Sequence, residues 1–207
     1  MNSIEAKKQT KVLKLTKRQR AILVGTLLGD AHLETQNDGR TYRLKIEHSV
    51  GQQEYVWWLY KEFKEWVVGK PYTKERSDGR KSIGFTTRAH ASFRFYGHQF
   101  YDGSKKKVVP KLIHKWLVPL GVAVWYLDDG SKKSKQHITY NIHTLAFSKR
   151  ELERLQEALH QYSIATSLHK QGKVMWRIYV RSASAAHFKK MLLQHVGHLD
   201  TMQYKIG

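Results

Sequence analysis

Two apolar runs of the chain each end in a carboxylate. The first follows a Thr-x-x-Gln capping box that opens at Thr16, and it continues almost without a polar residue to Asp30. The second opens with Pro119, a residue favoured in the first turn of a helix, and reaches Asp129. Both runs predict helices of about three turns. An acid at the negative end of a helix is disfavoured by about 0.3 to 1 kcal/mol unless a cation compensates. The pair therefore indicates a bound cation.

Outside these runs, alternating apolar and polar positions predict antiparallel hairpins. In the strand over residues 42–48, Leu44 and Ile46 point one way and Arg43 and Lys45 the other, giving one core face and one charged face. Turn residues at 36–39, 77–80 and 171–172 close three hairpins, and residues 31–34, 72–76, 81–88, 138–144 and 174–181 supply the other strands. Helical periodicity and capping predict the remaining helices over residues 52–68, 91–101, 112–117, 148–162 and 182–193.

The order helix, strands, helix, hairpin, helix occurs twice along the chain. Asp30 and Asp129 lie 99 positions apart, and Lys107 and Lys205 lie 98 positions apart. Each half therefore carries an acid and a later lysine in register, which indicates an internal duplication. A single chain of this kind would mimic a two-fold dimer. We expect a basic N-terminal extension over residues 1–15, a first repeat over 16–102, a basic linker over 103–118 and a second repeat over 119–207.

The charge of the chain points to an anionic partner. Its 207 residues carry 37 Lys and Arg against 17 Asp and Glu, a formal net charge of +20. This excess is far beyond what solubility requires, and nucleic acid is the first choice of partner. A membrane surface is disfavoured because the basic residues are spread through strands and loops and are not stacked on one amphipathic helix.

Several other classes find no support in the sequence. Because there is no cysteine, neither a disulfide framework nor a thiolate zinc site is possible. The closest histidine pair, His195 and His198, lacks the accompanying ligands of a zinc motif. The basic start of the chain has no apolar signal core, and no run of about 18 apolar residues occurs. Neither export nor membrane insertion is indicated.

The two apolar runs resemble the duplicated signature of LAGLIDADG homing endonucleases, in which the eighth motif position is a metal-binding Asp; that position falls on Asp30 and Asp129. The segments at 38–42, 106–110, 125–130 and 204–205 also resemble the monomeric, two-motif branch of the family. Val124 and Trp125 depart from the small residues of the standard motif. Close helix contact must then rest on small residues elsewhere in the two runs, namely Gly25, Gly29, Gly121 and Ala123.

The resemblance implies an α+β fold of two pseudo-symmetric αββαββα-like repeats. Helices would pack at the seam, and a curved antiparallel sheet in each half would form a DNA-binding saddle. It also implies a monomer, with no obligate protein partner, that makes a double-strand break in a long specific site and serves intron or intein mobility. The expected cofactor is Mg²⁺, with Mn²⁺ substituting and Ca²⁺ supporting binding without cleavage. The expected location is intracellular and DNA-associated, in the cytoplasm or nucleoid of a prokaryote or in an organelle matrix.

The resemblance also implies a catalytic set of Asp30, Asp129, Lys107 and Lys205. Gly29 and Asp128 would lie with the two acids at the metal, although Asp128 is ranked as structural. Lys107 is preferred to Lys106 only because it precedes the segment 108–110. The alternatives are a phosphate contact that does not depend on sequence and a solvated lysine run. The polar strand faces and basic loops would contact DNA, with Arg and Asn suited to base edges. This predicted DNA-binding set comprises Arg40, Arg43, Lys45, Lys74, Arg76, Arg88, Lys105, Lys106, His137, Thr139, Asn141, His143, Arg177 and Arg181.

Other interpretations remain open at this point. Either acid alone could be a turn residue after a helix, and the strand faces could simply be solvated. A non-cutting RNA maturase or DNA-binding regulator could use the same scaffold, but it would be free to lose the paired acids and lysines. A basic ribosome-associated protein is disfavoured by the paired carboxylates.

Overall fold

The computed structural model describes residues 13–133, 139–144, 146–172 and 175–207. They form two compact units, one of residues 13–20 with Ala31–His98 and one of Ala21–Asp30 with Gln99–Gly207. Each unit contains a four-stranded antiparallel sheet accompanied by helices, which confirms the predicted α+β class. Within the described ranges, no helix has the length and apolar character needed to cross a membrane.

Helix α1 (Lys17–Leu28) is shared between the units: its residues up to Arg20 belong to the first unit, and those from Ala21 onward belong to the second. The predicted capping box is present, because Gln19 N–H donates to Thr16 Oγ1 and Thr16 N–H donates to Gln19 Oε1. The other elements of this unit are β1 (His32–Glu34), β2 (Arg43–Ser49), α2 (Gln53–Phe63), β3 (Tyr72–Glu75), β4 (Lys81–Thr86) and the start of α3 (Arg94–Phe100), with 3-10 turns at Val50–Gln52, Lys64–Trp66 and Ala91–Phe93.

The two hairpins of the first unit join in one sheet of order β1-β2-β4-β3, as the resemblance implied. Leu44 and Ile46 are fully buried, so the inner face is the predicted one. Helix α2 is shorter than the predicted 52–68, although its stripe from Tyr55 to Trp66 is buried. It ends early because Val67 is already extended and pairs with Thr87 beside the sheet.

The second unit repeats the same sheet topology, with the order β5-β6-β8-β7. Its core is formed largely by aromatic and aliphatic side chains of α5 and α7, including Trp125, Tyr126 and Phe188. Its elements are α4 (Ile113–Trp116), α5 (Pro119–Asp129), β5 (Gly130–Lys132), β6 (Tyr140–Ile142), α6 (Lys149–His160), β7 (Thr166–Gln171), β8 (Met175–Val180), α7 (Ser182–Val196) and α8 (Gln203–Ile206), with a 3-10 turn at Asp200–Met202.

Strand β6 differs from the predicted two-faced strand. Tyr140 and Ile142 are buried as expected, but Thr139 and Asn141 are also only 4% and 5% exposed. The reason is position: β6 lies between β5 and β8, and the short Asn141 side chain is flanked in register by Ser131 and Tyr179. The remaining predicted positions of this region, His137, Ile138 and Val174, lie outside the described residues.

Candidate active site

Helices α1 and α5 lie against each other within the second unit, and glycines make the close contacts. A Cβ on Gly25 would lie 2.4 Å from the Gly121 carbonyl oxygen, and one on Gly121 would lie 2.9 Å from the Ala21 carbonyl oxygen. A third close approach occurs at Gly29, where a Cβ would lie 2.4 Å from a carboxylate oxygen of Asp128. The expectation that glycines carry the close contact is therefore confirmed at these three positions. Val124 fits opposite Gly25, which explains how the helix tolerates this bulkier residue.

Asp128 links the two helix ends. Its side chain is buried, and its Oδ2 accepts a hydrogen bond from the Asp30 N–H at 3.1 Å. Helix α1 ends at Leu28, so Asp30 lies in the turn that follows, whereas Asp129 is the last residue of α5. Asp128 thus fixes the turn that presents Asp30.

The two predicted lysines make the same contact in both halves of the sequence. Lys107 Nζ donates to the Gly29 carbonyl at 2.7 Å, and Lys205 Nζ donates to the Asp128 carbonyl at 2.9 Å. Gly29 and Asp128 each directly precede one of the candidate metal-binding acids. Lys106, in contrast, is exposed, so the geometry distinguishes it from its neighbour Lys107.

The cluster is electrostatically strained by burial and by like charge. Burial raises the pKa of the Asp129 carboxyl to about 8, and the charges of Asp128 and Asp30 add to this increase. The Lys107 ammonium opposes it. Burial also lowers the pKa of both lysines, and the three carboxylates counteract that decrease. Perturbed acids and bases concentrated at one place are typical of functional sites.

Different elements hold the two lysines in place. Lys107 pairs with Tyr101 in an isolated β-bridge. Lys205 lies on the short helix α8, where the Tyr126 hydroxyl donates to the Lys205 carbonyl at 2.7 Å and the Tyr140 hydroxyl donates to the Ile206 carbonyl at 3.2 Å. The sequence did not predict these hydroxyl contacts. No local pattern connects a tyrosine in an apolar helix to a backbone carbonyl 79 residues away.

The outer face of the first sheet carries basic side chains that are paired with acids. Arg43 donates to Glu34, with its Nη2 at 2.8 Å from Oε2. Lys45 also lies near Glu34, at 3.6 Å. Arg76 lies 3.4 Å from Glu47. Hydrogen bonds from Ser82 and Arg76 lower the pKa of Glu47, so this carboxylate is held ionised. The register places Lys74 on the same face.

The outer face of the second sheet is basic and aromatic. His169 stacks on Tyr179 with ring centroids 4.5 Å apart, and Lys133 Nζ lies 5.4 Å from the Tyr179 centroid. Burial lowers the pKa of His143, and the nearby charges of Arg177 and Lys205 act in the same direction. Among the described residues, the buried Arg177 Nε finds no hydrogen-bond partner. The strand alternation predicted His143 and Arg177 for this face, but not the Lys133–Tyr179–His169 stack.

The remaining predicted DNA-binding residues are distributed as follows. Arg40, Lys105 and Lys106 lie in exposed turns, and Arg88 follows strand β4. Arg181 stands apart, because it lines an open cleft beside the acidic positions Glu153 and Glu157 of α6. Because of these acidic neighbours, the cleft is less suited to bind a phosphate backbone than the sheet face is.

The chain is similar to known proteins in sequence and in fold. Residues 20–188 match the model of the LAGLIDADG DNA endonuclease family. DNA endonuclease I-ChuI of Chlamydomonas applanata is 29% identical over 219 aligned positions, covering 94% of this chain and 97% of that protein. The cytochrome b mRNA maturase bI2 of Debaryomyces hansenii is 28% identical, covering 93% of this chain and 75% of that protein. The structure of the homing endonuclease I-WcaI bound to its DNA recognition sequence shares the fold, with a TM-score of 0.84, 24% identity, and coverage of 100% of this chain and 93% of that one. The chain belongs to the LAGLIDADG DNA endonuclease family.

Proposed function

We propose that this chain is a site-specific homing endonuclease that makes a double-strand break in a long DNA site by metal-dependent phosphodiester hydrolysis. The observation that carries the proposal is the repeated acid–lysine arrangement. Asp30 with Lys107 and Asp129 with Lys205 converge in one compact unit, and each lysine bonds the carbonyl directly before its acid. The two acid–lysine sets provide one set for each DNA strand that has to be cut.

The donor atoms of the cluster suit a hard divalent cation. Asp30, Asp128 and Asp129 offer carboxylate oxygens, and Gly29 and Asp128 offer backbone carbonyls next to them. Oxygen donors of this kind favour Mg²⁺ or Mn²⁺ over softer metals. We propose Mg²⁺ as the cofactor, with Mn²⁺ substituting and Ca²⁺ supporting binding without cleavage. Asp30 and Asp129 would be the principal ligands.

Hydrolysis needs an activated water and positive charge near the scissile phosphate. A bound divalent ion supplies a Lewis acid and a more acidic water. The protein supplies rigid placement, because Asp128 fixes the Asp30 turn and the close glycine contacts leave the helix ends little freedom. Lys107 and Lys205 bring positive charge to the same place, where it can offset charge that develops on the phosphate.

DNA binding would use the outer sheet faces and basic loops of the two repeats. The net charge of +20 provides the attraction to phosphates, and the side chains of the second sheet face offer stacking and hydrogen-bonding groups for base edges. A role in intron or intein mobility would place the protein with DNA in a nucleoid or an organelle matrix.

The test is selection of cleaved duplexes from a randomised DNA library in Mg²⁺ or Ca²⁺. We expect cut product in Mg²⁺ alone. Asp30→Asn and Asp129→Asn should each abolish the double-strand break and leave specific binding largely intact, because ligand charge is lost without a change of shape. Glu153→Gln, which removes an exposed acid on α6, is the matched control and should cut normally.

Normal cutting by either Asn variant would refute the site assignment. Recovery of DNA that is bound but uncut in both metals would favour a binding protein, such as an RNA maturase or a DNA-binding regulator. Nicking of one strand by a single variant is compatible with two sites that are not equivalent.

A further inference from the structure

Lys107 and Lys205 occupy the negative ends of the two apolar helices. Lys107 donates to the Gly29 carbonyl just after the end of α1. Lys205 donates to the carbonyls of Leu127 and Asp128 in the last turn of α5. Carbonyls at a helix end lack partners within the helix and carry partial negative charge. Each ammonium therefore caps the helix whose end carries a candidate metal-binding acid.

The ammonium groups also lie among the three carboxyls of the cluster. Asp30, Asp128 and Asp129 all act electrostatically on both lysines. Both lysine side chains are partly buried, so solvent screens these interactions less than at an exposed surface. Such a group of acids at two helix ends would repel itself if the lysines were neutral or absent.

Gly29 and Asp128, whose carbonyls hold the two ammonium groups, directly precede Asp30 and Asp129, the acids that would hold a divalent ion. A divalent ion and an ammonium group that are attracted to the same group of oxygen atoms repel each other. We propose that Lys107 and Lys205 are internal counter-ions that stabilise the metal-free site, and that a divalent ion binds in competition with them and releases them from the two carbonyls. The proposal rests on the metal site of the proposed function. It assigns the lysines a task in the absence of DNA, and their release would make each ammonium available to a phosphate only after the metal has bound.

The experiment compares Lys107→Met and Lys205→Met with the wild type. Methionine keeps the length and apolar stem of lysine but removes the charge. Lys111→Met is the matched control, since Lys111 is exposed in the same segment as Lys107 and lies outside the cluster. Thermal unfolding in EDTA and titration with Ca²⁺ alone, followed by calorimetry without DNA, provide readouts that do not depend on cleavage.

We expect each cluster variant to unfold about 3 to 10 °C below the wild type in EDTA, because a buried charged hydrogen bond is lost and like charges remain. In the Ca²⁺ titration we expect about tenfold or greater tightening, because the repulsion between the ammonium and the ion is removed. Lys111→Met should match the wild type in both measurements. Lys107→Arg keeps the charge and should stay close to the wild type in EDTA.

Several results would overturn the proposal. These are unchanged unfolding in EDTA, weaker Ca²⁺ binding by the Met variants, or no Ca²⁺ binding by any of the proteins. If a Met variant is unfolded in EDTA, Ca²⁺ must restore its circular dichroism spectrum; failure to do so also overturns it. A wild type that binds Ca²⁺ as expected but cuts no DNA in Mg²⁺ would refute the proposed function and leave this inference standing.

Discussion

At the scale of single residues, the site depends on positions that have no side chain. In a helix, Gly→Ala ordinarily stabilises by about 0.5 to 1 kcal/mol. At Gly25 the sign should reverse, because the new Cβ would lie 2.4 Å from the Gly121 carbonyl oxygen and 2.9 Å from Val124 Cβ. We expect Gly25→Ala to lower the free energy of unfolding by about 1 to 3 kcal/mol in urea denaturation.

Gly51→Ala is the control for this prediction. A Cβ at Gly51 would have its nearest neighbour, Ser49 Oγ, at 3.7 Å, so it should be tolerated. Equal stability of Gly25→Ala and the wild type would mean that α1 and α5 can separate without loss, and the close approach would then not be a determinant of the site.

The candidate site could be predicted to the extent that it follows from repetition. Asp30 and Asp129 end two similar apolar runs, and Lys107 and Lys205 follow them at nearly equal offsets, at the basic positions that the resemblance implies. The hydrogen bond from Tyr126 to the Lys205 carbonyl could not be predicted, because it joins distant segments and leaves no periodic signal. The ion pairs of Glu34 and Glu47 were missed for a related reason, since they depend on which strands become neighbours.

At the scale of elements, the periodicity of apolar positions and the helix-capping residues predicted most of the helices and strands. The capping boxes at Thr16 and Ser148 are both formed, and the two hairpins of the first half join in one sheet. Burial of Asn141 was not predicted, because alternation identifies the face of a strand but not its place in the sheet. A polar residue on the outer face of a central strand can be covered by longer neighbours.

Glu151 connects helix α6 to the segment after Lys107. Its Oε2 accepts hydrogen bonds from the Ser148 N–H and hydroxyl, and its Oε1 accepts one from the Val109 N–H. Burial alone would raise the pKa of Glu151, but these hydrogen bonds lower it below the ordinary value. A carboxyl whose pKa is lowered by folding adds stability above its unfolded pKa, and that stability is lost as the pH falls through the folded pKa.

We therefore expect Glu151→Gln to reduce the free energy of unfolding by about 1 kcal/mol at pH 7. The difference from the wild type should shrink as the pH falls below about 4.3, the ordinary pKa of glutamate in the unfolded chain, and through the lower pKa of the folded Glu151 carboxyl. Urea denaturation of both proteins at several pH values measures this difference. Glu153→Gln, on the exposed side of the same helix, should show neither effect. If the difference in the free energy of unfolding between Glu151→Gln and the wild type does not depend on pH, Glu151 acts through packing and not through its charge.

At the scale of the whole molecule, the duplication predicts the stoichiometry on DNA. Both acid–lysine sets belong to one chain, so a second protomer adds nothing that cleavage of two strands requires. We expect one chain per duplex in sedimentation or light scattering with the selected site. A stable complex of two chains at the cleavage site would mean that the repeats do not act as two halves of one enzyme.

The net charge of +20 and the two sheet faces predict how binding depends on salt and on sequence. Each phosphate contact adds about 0.9 to the magnitude of the log-log salt slope, and a footprint of several phosphates in each half should place the total above about 6. Arg43 is held by Glu34, and Arg177 lies on a face of few acids with an Nε that has no hydrogen-bond partner among the described residues. We expect both arginines to contact base edges.

Arg43→Ala and Arg177→Ala should each weaken the free energy of binding to the preferred site by about 1 to 3 kcal/mol and relax the preference at one base pair. Lys106 lies in an exposed loop, so Lys106→Ala should weaken binding to all DNA sequences alike and lower the magnitude of the salt slope by about 1. The measurement is binding to the preferred site and to single-base variants at two salt concentrations. Arg177→Ala should show the larger loss, because Arg43 must share its guanidinium with a carboxylate that is already present. Arginine variants that lose salt slope and keep every base preference would show that the sheet faces hold the DNA backbone and that sequence is recognised elsewhere on the molecule.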